Sequence, residues 1–482
     1  MKKTNVIRPT LLALAMACAF PAQAQSNAEV LNELRALRDR VSELESKLKA
    51  AEAKTPAAGQ WGMTPEQARE LNRVTVKTEA MEDARDASGL RLLKISGFMD
   101  PTYIYNKAQN TSGFQFLNKV DPENGGDGYN YDNSYFGSAV IDFQKETESG
   151  TRWRLTLAPN RGVGAVIDGT SPVHEASVSV PLGSLQTRLI AGQIPDWSGY
   201  EYLPSTQNKL ITHNLLFDFT LPTAYTGAGI DITEGKWIMK AMLANMNSTR
   251  RSQGNNTPVI AYRADYSRGE YQGFGFAGVF GDATNFNVDP ITGNQAADSQ
   301  VSLFEVDGYF IRGDWTLQGQ LSYGSQKNAA IAPDPVTGAL RNAKWTGVSA
   351  LAAYKFTPRF EGTVRADYIK NDKNGGGLLG FTGYWDPTDL AGIGRPTHGD
   401  NRNGIGVDPT LDCVTDPTIA ECNRGANRTA LAFGLSYLFD QNTTFKAEYR
   451  LDSADLPVFA NVKDGTFRKN NSVFGASVLV SF

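Results

Sequence analysis

Apolar and polar residues alternate along most of the chain from Leu90 onward. This period of two is typical of a β-strand with one apolar face. The pattern recurs on both sides of short turns such as residues 268–270 and 312–314, which predicts β-hairpins with apolar outer faces. It is clearest in the last segment, whose apolar positions are Phe474, Ala476, Val478, Val480 and Phe482.

Sixteen such segments can be delimited, each about ten residues long, which is the length that a tilted strand needs to cross a bilayer. Seven short turns alternate with eight long connections, so both ends of this region lie on the short-turn side. We therefore predict an all-β fold for residues 90–482, a 16-stranded antiparallel transmembrane β-barrel. A soluble all-β sandwich is the alternative, but it would have to bury the apolar face that nearly every segment carries. The predicted long connections are 107–132, 161–172, 195–222, 247–257, 282–300, 327–344, 372–427 and 454–470.

A different period precedes the barrel. Within residues 25–54 the apolar positions are spaced alternately by four and three, which predicts a periplasmic coiled coil of about four heptads that associates with copies of itself. One amphipathic helix packed on its own domain is the alternative. Residues 55–89 are predicted to be a linker and a second helix with Pro65 in its first turn. The apolar positions of the coiled coil are Val30, Leu34, Leu37, Val41, Leu44 and Leu48.

Residues 1–24 have the layout of a secretory signal peptide. Basic residues precede an apolar run, and small residues precede a cleavage site before Gln25. A lipoprotein site at Cys18 is the alternative, although the usual branched aliphatic residue before the cysteine is missing. Export into an oxidising compartment would most simply pair Cys413 with Cys422, in a disulfide that restrains a surface loop.

Composition narrows the class of protein further. The 482 residues include 47 Lys or Arg, 51 Asp or Glu and three Cys, with a mean hydropathy of −0.34. These values exclude a disulfide-framework protein and a helical-bundle membrane protein, and they disfavour a basic nucleic-acid-binding protein. After the signal peptide, no apolar run approaches the ~20 residues that a spanning helix requires. We expect no nucleic-acid partner.

The chain resembles the trimeric porins of Gram-negative outer membranes over residues 90–482. The features that carry this resemblance are the signal peptide, the sixteen strands, the long connection between the fifth and sixth strands, and the terminal Phe482. The amino-terminal helix resembles the periplasmic coiled coil of the DcaP-like dicarboxylate porins. The resemblance implies a homotrimer in outer-membrane lipid with the helix in the periplasm. It also implies that the barrel-assembly machinery recognises Phe482, Val480 and Val478, and that the connection 195–222 bends inward as a constriction.

If the apolar phase faces lipid, the other phase lines the lumen, and its ten cations and eleven anions are nearly balanced. Carboxylates on the inward loop opposite cations on the wall would set up a transverse field that orients dipolar solutes. The alternative is that these charges only keep the lumen wet and pair with their neighbours. The predicted constriction residues are Asp196, Glu201 and Asp218 on the loop, and Lys94, Arg152, Arg154, Lys446 and Arg450 on the wall.

Catalysis is disfavoured, because His213 is the one lumen candidate for acid–base chemistry and no Gly-x-Ser-x-Gly motif accompanies it. The acidic loop 121–132 has a spacing that calcium could use, but it lacks the flanking helices and the terminal Glu. We therefore expect neither metal nor cofactor. The sequence predicts passive diffusion of small hydrophilic solutes and ions. Alternatives are a porin that prefers small anions such as dicarboxylate or phosphate, held by arginines, and a structural barrel tethered to a periplasmic partner.

Overall fold

The protein is described here from a computed structural model. Apart from a few isolated positions, it describes residues 64–88, 90–108, 110–117, 137–158, 172–248, 255–285, 296–330, 339–372, 424–461 and 463–482. The chain divides into two compact units, Met1–Leu92 and Leu93–Phe482. The predicted signal peptide, nearly all of the predicted coiled coil, the acidic loop 121–132, and Cys413 and Cys422 lie outside the described residues.

In the first unit, helix α1 (Pro65–Ala87) lies where the sequence predicts the second helix. It begins with a capping box, in which Thr64 Oγ1 accepts from Gln67 N at 3.2 Å and Gln67 Oε1 accepts from Thr64 N at 3.0 Å. Leu71, Val74 and Met81 are exposed on this helix. Among the described residues, no helix combines the length and the apolar character that crossing a membrane would take.

The second unit is built from β-strands, with two short helical segments between the seventh and eighth. These are a 3-10 turn (Ser205–Gln207) and helix α2 (Leu215–Thr220). The strands are β1 (Leu93–Met99), β2 (Thr102–Asn106), β3 (Thr111–Gln115), β4 (Ala139–Glu146), β5 (Arg152–Leu157), β6 (Val173–Ser184), β7 (Thr187–Pro195), β8 (Ala224–Glu234), β9 (Trp237–Met246), β10 (Val259–Ser267), β11 (Gln272–Ala283), β12 (Ser299–Arg312), β13 (Trp315–Gln326), β14 (Ala343–Thr357), β15 (Phe360–Asn371), β16 (Arg428–Leu438), β17 (Thr443–Ala454), β18 (Phe459–Asn461), β19 (Thr466–Arg468) and β20 (Asn470–Ser481).

Eighteen of these strands form one antiparallel sheet that closes on itself, while β18 and β19 form a separate hairpin. Because β1 with β2, and β3 with β4, are each one interrupted wall strand, the wall has sixteen strands. The last strand, β20, pairs with β17 on one side and with β1 and β2 on the other. Gly97 N donates to Phe482 O at 3.1 Å and Phe482 N donates to Gly97 O at 3.0 Å across this closure. The predicted 16-stranded antiparallel barrel is confirmed.

The first long connection differs from the prediction of 107–132. The chain turns after β2 within Lys107–Asn110, and β3 runs back along β2 with Thr102 opposite Gln115. The second wall strand is then interrupted between Leu117 and Gly137 and resumes as β4. β3 and β4 are therefore two parts of one wall strand, and β3 is too short for its alternation to be recognised in the sequence.

Outward and inward residues alternate as predicted along the wall strands. On β12 and β13, Phe304, Phe310 and Leu321 are exposed on the outer face, whereas Glu305 and Ser322 are buried inside. The predicted assembly residues Phe482 and Val480 are also exposed. An outer face of this kind is stable in contact with lipid chains rather than water.

The inner wall is polar along only part of its circumference. From β8 to β16 a band of inward side chains is apolar and almost completely buried, which the predicted polar lumen did not anticipate. These residues include Tyr225, Met242, Ala244, Met246, Val259, Ala261, Val279, Val301, Leu303, Trp345, Ile369 and Ala430.

Candidate functional site

The connection between β7 and β8, residues 196–223 and here called the inner loop, lies inside the barrel. Asn214 caps helix α2 by accepting from Phe217 N at 2.8 Å. The side chains of Leu215, Leu216 and Phe219 then pack on the apolar band of the inner wall, each with at most 3% of its surface exposed. The inward bend of this connection was expected from the resemblance to porins, and the buried cluster explains why the loop contains so many apolar residues.

Inward glycines on the wall make room for the loop. A Cβ at Gly347 on β14 would lie 3.0 Å from Leu216 Cγ, and one at Gly475 on β20 would lie 3.2 Å from Ile211 Cδ1. At Gly434 on β16, a Cβ would overlap the Cδ2 methyl of Leu210. The absence of a side chain at these glycines therefore leaves the space that the leucine and isoleucine side chains of the loop occupy.

Arg365 on β15 fixes the middle of the inner loop and is fully buried. Its Nη1 donates to Glu201 Oε1 at 2.8 Å and to Thr212 O at 2.7 Å, and its Nη2 donates to His213 O at 2.8 Å. Its Nε donates to Asp367 Oδ2 at 3.1 Å. One guanidinium thus satisfies two carboxylates and two loop carbonyl groups, a use for which its planar fork of donors is suited.

Strand β17 holds the loop through three successive inward residues. Lys446 Nζ donates to Ser205 O and to Asn208 O, both at 2.7 Å. Glu448 accepts from Ile211 N at 2.7 Å and from Thr212 N at 2.8 Å, and Arg450 Nη1 donates to His213 O at 2.7 Å. The charges alternate in sign along this strand because Lys446 and Arg450 donate to carbonyl groups of the loop, whereas Glu448 accepts from its N–H groups.

The structure divides the eight predicted constriction residues into three groups. Lys446, Arg450 and Glu201 lie beneath or within the loop with at most 7% of their surface exposed, so we assign them to holding the loop rather than to contact with solutes. Asp196 accepts from Tyr225 Oη at 2.6 Å at the start of the loop, and Asp218 is partly buried on α2. The other three residues, on β1 and β5, are solvent-exposed to varying degrees: Lys94, Arg152 and Arg154.

His213, the residue considered for acid–base chemistry, also belongs to the loop packing. Its Nε2 is 2.8 Å from Tyr202 O, and its ring stacks on Phe217 with the centroids 4.2 Å apart. The side chain is buried. Within the described part of the chain, no group of three or more His, Cys, Asp or Glu residues has an arrangement that would hold a metal ion.

Solvent-exposed charges on the inner wall are concentrated on β1 and β4–β10, so that β8–β10 carry both these charges and part of the apolar band. Most are ion pairs: the Arg154 guanidinium lies 2.8 Å from Asp142 and 3.1 Å from Glu175, and 41% of its side chain is exposed. The Arg263 guanidinium, only 10% exposed, lies 2.7 Å from Asp265, which is 31% exposed, and 2.8 Å from the buried Asp307. Further pairs in this region are Arg152 with Glu146 and Lys240 with Asp231.

The inner loop presents Tyr202 with 45% of its surface exposed, and Lys209, whose Nζ lies 2.8 Å from Glu361. The sequence identified the exposed wall cations but missed the anchoring role of Arg365 and Glu448, although both fall on the predicted inward phase. It also predicted the last long connection, 454–470, but not that Leu456 and Phe459 are buried there. Both connections contain several apolar side chains, and this could have indicated from the sequence that both are buried.

Raising the pH through about 7 is expected to loosen the inner loop. Burial raises the pKa of Glu201 from 4.5 to about 7, with Arg365 opposing this effect and Asp367 adding to it. Glu201 follows β7 and lies outside the membrane-spanning strands. Because its pKa is higher in the packed loop than in water, this stabilisation is fully present below pH 4.5 and is lost as the pH rises through about 7. The ratio of packed to released loop should fall by up to about tenfold per pH unit in this window.

Open-channel current noise measured across this pH range tests the expectation. Glu201→Gln is the matched control, because an amide keeps an acceptor for Arg365 but cannot ionise. Native noise that stays constant with pH, or a glutamine variant that responds as the native protein does, would contradict the role assigned to Glu201.

Several solved structures of outer-membrane proteins are similar to this chain at low sequence identity. The outer-membrane expressed OmpT of Vibrio cholerae is 11% identical, with 81% of this chain and 97% of that chain covered and a TM-score of 0.48. The outer membrane channel DcaP of Acinetobacter baumannii is 12% identical, covered to 81% and 97%, with a TM-score of 0.46. The anion-selective porin from Comamonas acidovorans is 9% identical, covered to 81% and 99%, with a TM-score of 0.46.

No curated protein sequence matches the chain. A family match is found for residues 62–482, which includes helix α1 and every strand of the barrel. The family is described as "Protein of unknown function (DUF3138)", and this chain belongs to it.

Proposed function

We propose that this protein is an outer-membrane porin that lets small hydrophilic solutes and ions diffuse through a water-filled passage. The observation that carries the proposal is the asymmetry of the barrel interior. The inner loop is packed on the apolar band of β8–β16, whereas the exposed charged side chains lie on β1 and β4–β10, and the two regions share only β8–β10. A sixteen-stranded barrel is too wide for its own side chains to fill, so the side that the loop leaves uncovered is the expected route for water and solutes.

The charges on this side favour weak selectivity over recognition of one anion. Arg154 and Arg263 each already contact two carboxylates within 3.1 Å, so neither guanidinium presents an unoccupied fork to a dicarboxylate or phosphate. Paired charges of both signs keep the wall wet and orient dipolar solutes. General diffusion is therefore our proposal, ahead of the anion-preferring alternative.

Membrane location and assembly form part of the same proposal. The exposed apolar outer face supports insertion in lipid, and the short-turn end, where both barrel termini lie, is assigned to the periplasm as in bacterial outer-membrane barrels. The predicted self-association of residues 25–54 and the resemblance to trimeric porins favour a homotrimer, and the exposed Leu71, Val74 and Met81 of α1 are apolar residues that such assembly could cover.

Single-channel conductance of the full-length protein in a planar bilayer tests the proposal. We expect current steps that close in groups of three, a reversal potential near zero in a salt gradient, and no block by added dicarboxylate or phosphate. Tyr202→Trp should lower the conductance, because Tyr202 is exposed on the inner loop. Tyr271→Trp is the matched control, since Tyr271 is exposed on a short turn outside the barrel interior. Absence of conductance, or equal effects of the two substitutions, would overturn the proposal.

A further inference from the structure

The last long connection, residues 455–469 and here called the outer hairpin, also packs into the barrel. It contains β18 and β19, and its Leu456, Val458 and Phe459 are buried. These side chains form one apolar cluster with Ile104 of β2, Val473 of β20 and Ile211 of the inner loop, together with Ala426 and Ala454. The outer hairpin and the inner loop therefore share a core, although more than two hundred residues separate them in the sequence.

Arg428, the first residue of β16, lies where the two loops meet and is fully buried. Its Cζ is 5.5 Å from the ring centroid of Phe219 on α2 of the inner loop and 5.1 Å from that of Phe459 on the outer hairpin. Its Nη2 donates to Asp452 Oδ1 at 2.8 Å. Both distances are within the range in which a guanidinium attracts an aromatic ring, and the attraction is strongest at sites without water.

The base of the outer hairpin is fixed separately. Asp455 Oδ1 accepts from Asn427 N at 2.8 Å, and Asp455 Oδ2 lies 2.5 Å from Arg424 Nη1. Arg424 is partly exposed. The contacts with the rings of Phe219 and Phe459 are made by Arg428 instead. The hairpin therefore has a polar attachment to the wall near β16 and an apolar, cation–aromatic attachment to the inner loop.

We propose that the outer hairpin is a second constriction element, and that Arg428 couples it to the inner loop so that the two loops shift together. Arg428 is a positioning residue, since it is buried and acts through Phe219 and Phe459 rather than by contact with solutes. The planar guanidinium is required because it can contact an aromatic ring while its edge donates to Asp452. This inference rests on the proposed porin function, but the contact between the loops can be tested without it.

The test compares Arg428→Lys with Arg424→Lys in the full-length protein. Both changes keep a positive charge beside an aspartate, but only the first removes a planar cation from two aromatic rings. We expect Arg428→Lys to add current fluctuations and subconductance levels, and to speed amide hydrogen exchange in residues 210–221 by about tenfold, as expected when desolvated cation–π contacts are lost. Arg424→Lys should leave both properties close to those of the native protein.

Phe459→Leu provides the second readout, because leucine keeps an apolar side chain in the cluster and removes the ring. Faster exchange in the inner loop after this change in the outer hairpin would support the coupling. Native exchange in residues 210–221 in both Arg428→Lys and Phe459→Leu would overturn it. A native protein that does not conduct would overturn the porin function, whereas the exchange experiment would still decide whether the loops are coupled.

Discussion

Arg365→Gln is expected to release the inner loop from the wall and to raise the single-channel conductance severalfold. The substitution leaves Glu201 and Asp367 buried without the guanidinium that lies 2.8 Å and 3.1 Å from them. Removing one partner of a buried ion pair costs about 3–5 kcal/mol. The barrel itself is held by backbone pairing between neighbouring strands, so the cost falls on the packing of the loop. Conductance, current noise and the size limit for neutral solutes should all increase.

Arg359→Gln is the control for this substitution, because Arg359 is exposed on the short turn between β14 and β15. It changes the net charge by the same amount without touching the loop. Circular dichroism and the heat-modifiable migration of the folded barrel should be native in both variants. If Arg365→Gln gave the conductance and noise of the Arg359→Gln protein, the anchoring role of Arg365 would be wrong.

Gly434→Leu is expected to displace the inner loop by filling the space that Leu210 occupies. Even a Cβ at this position would overlap Leu210 Cδ2, and Leu210 is itself buried, so its side chain has little room to move. Overpacking of this kind costs about 1–3 kcal/mol. Proteolysis of the loop region and an increase in conductance measure the displacement.

Gly319→Leu is the matched control on the outer face of β13. The nearest atom to a Cβ there is Ser349 O at 3.7 Å, so a side chain is accommodated in lipid. Both substitutions add the same side chain to a strand glycine, and they differ in the face that it occupies. Equal conductance for the two variants would show that the loop does not depend on the space beside the inward glycines.

The number of strands and the phase of each wall strand could be predicted because lipid and the interior impose opposite demands on alternate residues. The position of the loop within the barrel could not be predicted in this way. Arg154 and Arg450 are both inward arginines flanked by strand residues, yet one is 41% exposed and the other is fully buried. The difference depends on which part of the wall the loop covers, and that is decided by contacts between residues far apart in the sequence.

Part of this information was present in the sequence but ambiguous. On β12, Val301 and Leu303 point inward while Phe304 points outward, so the segment is apolar on both faces. If lipid is taken as the only apolar surroundings of the strand, such a segment is interpreted as a strand with weak alternation. In the structure the inward apolar residues face the inner loop. The break between β1 and β2 has a clearer local cause, because Pro101 lacks the backbone N–H that a continuous strand would contribute to the sheet.

The apolar band under the inner loop also constrains the order of biogenesis. Leu216 precedes Trp345 in the chain, so the loop is synthesised before most of the strands that it covers. Strands that are apolar on both faces are prone to aggregate until they are covered. We therefore expect the loop to act as an internal scaffold on which the later strands gather. We expect closure of the barrel, through the pairing of Phe482 with Gly97, to follow the packing of the loop.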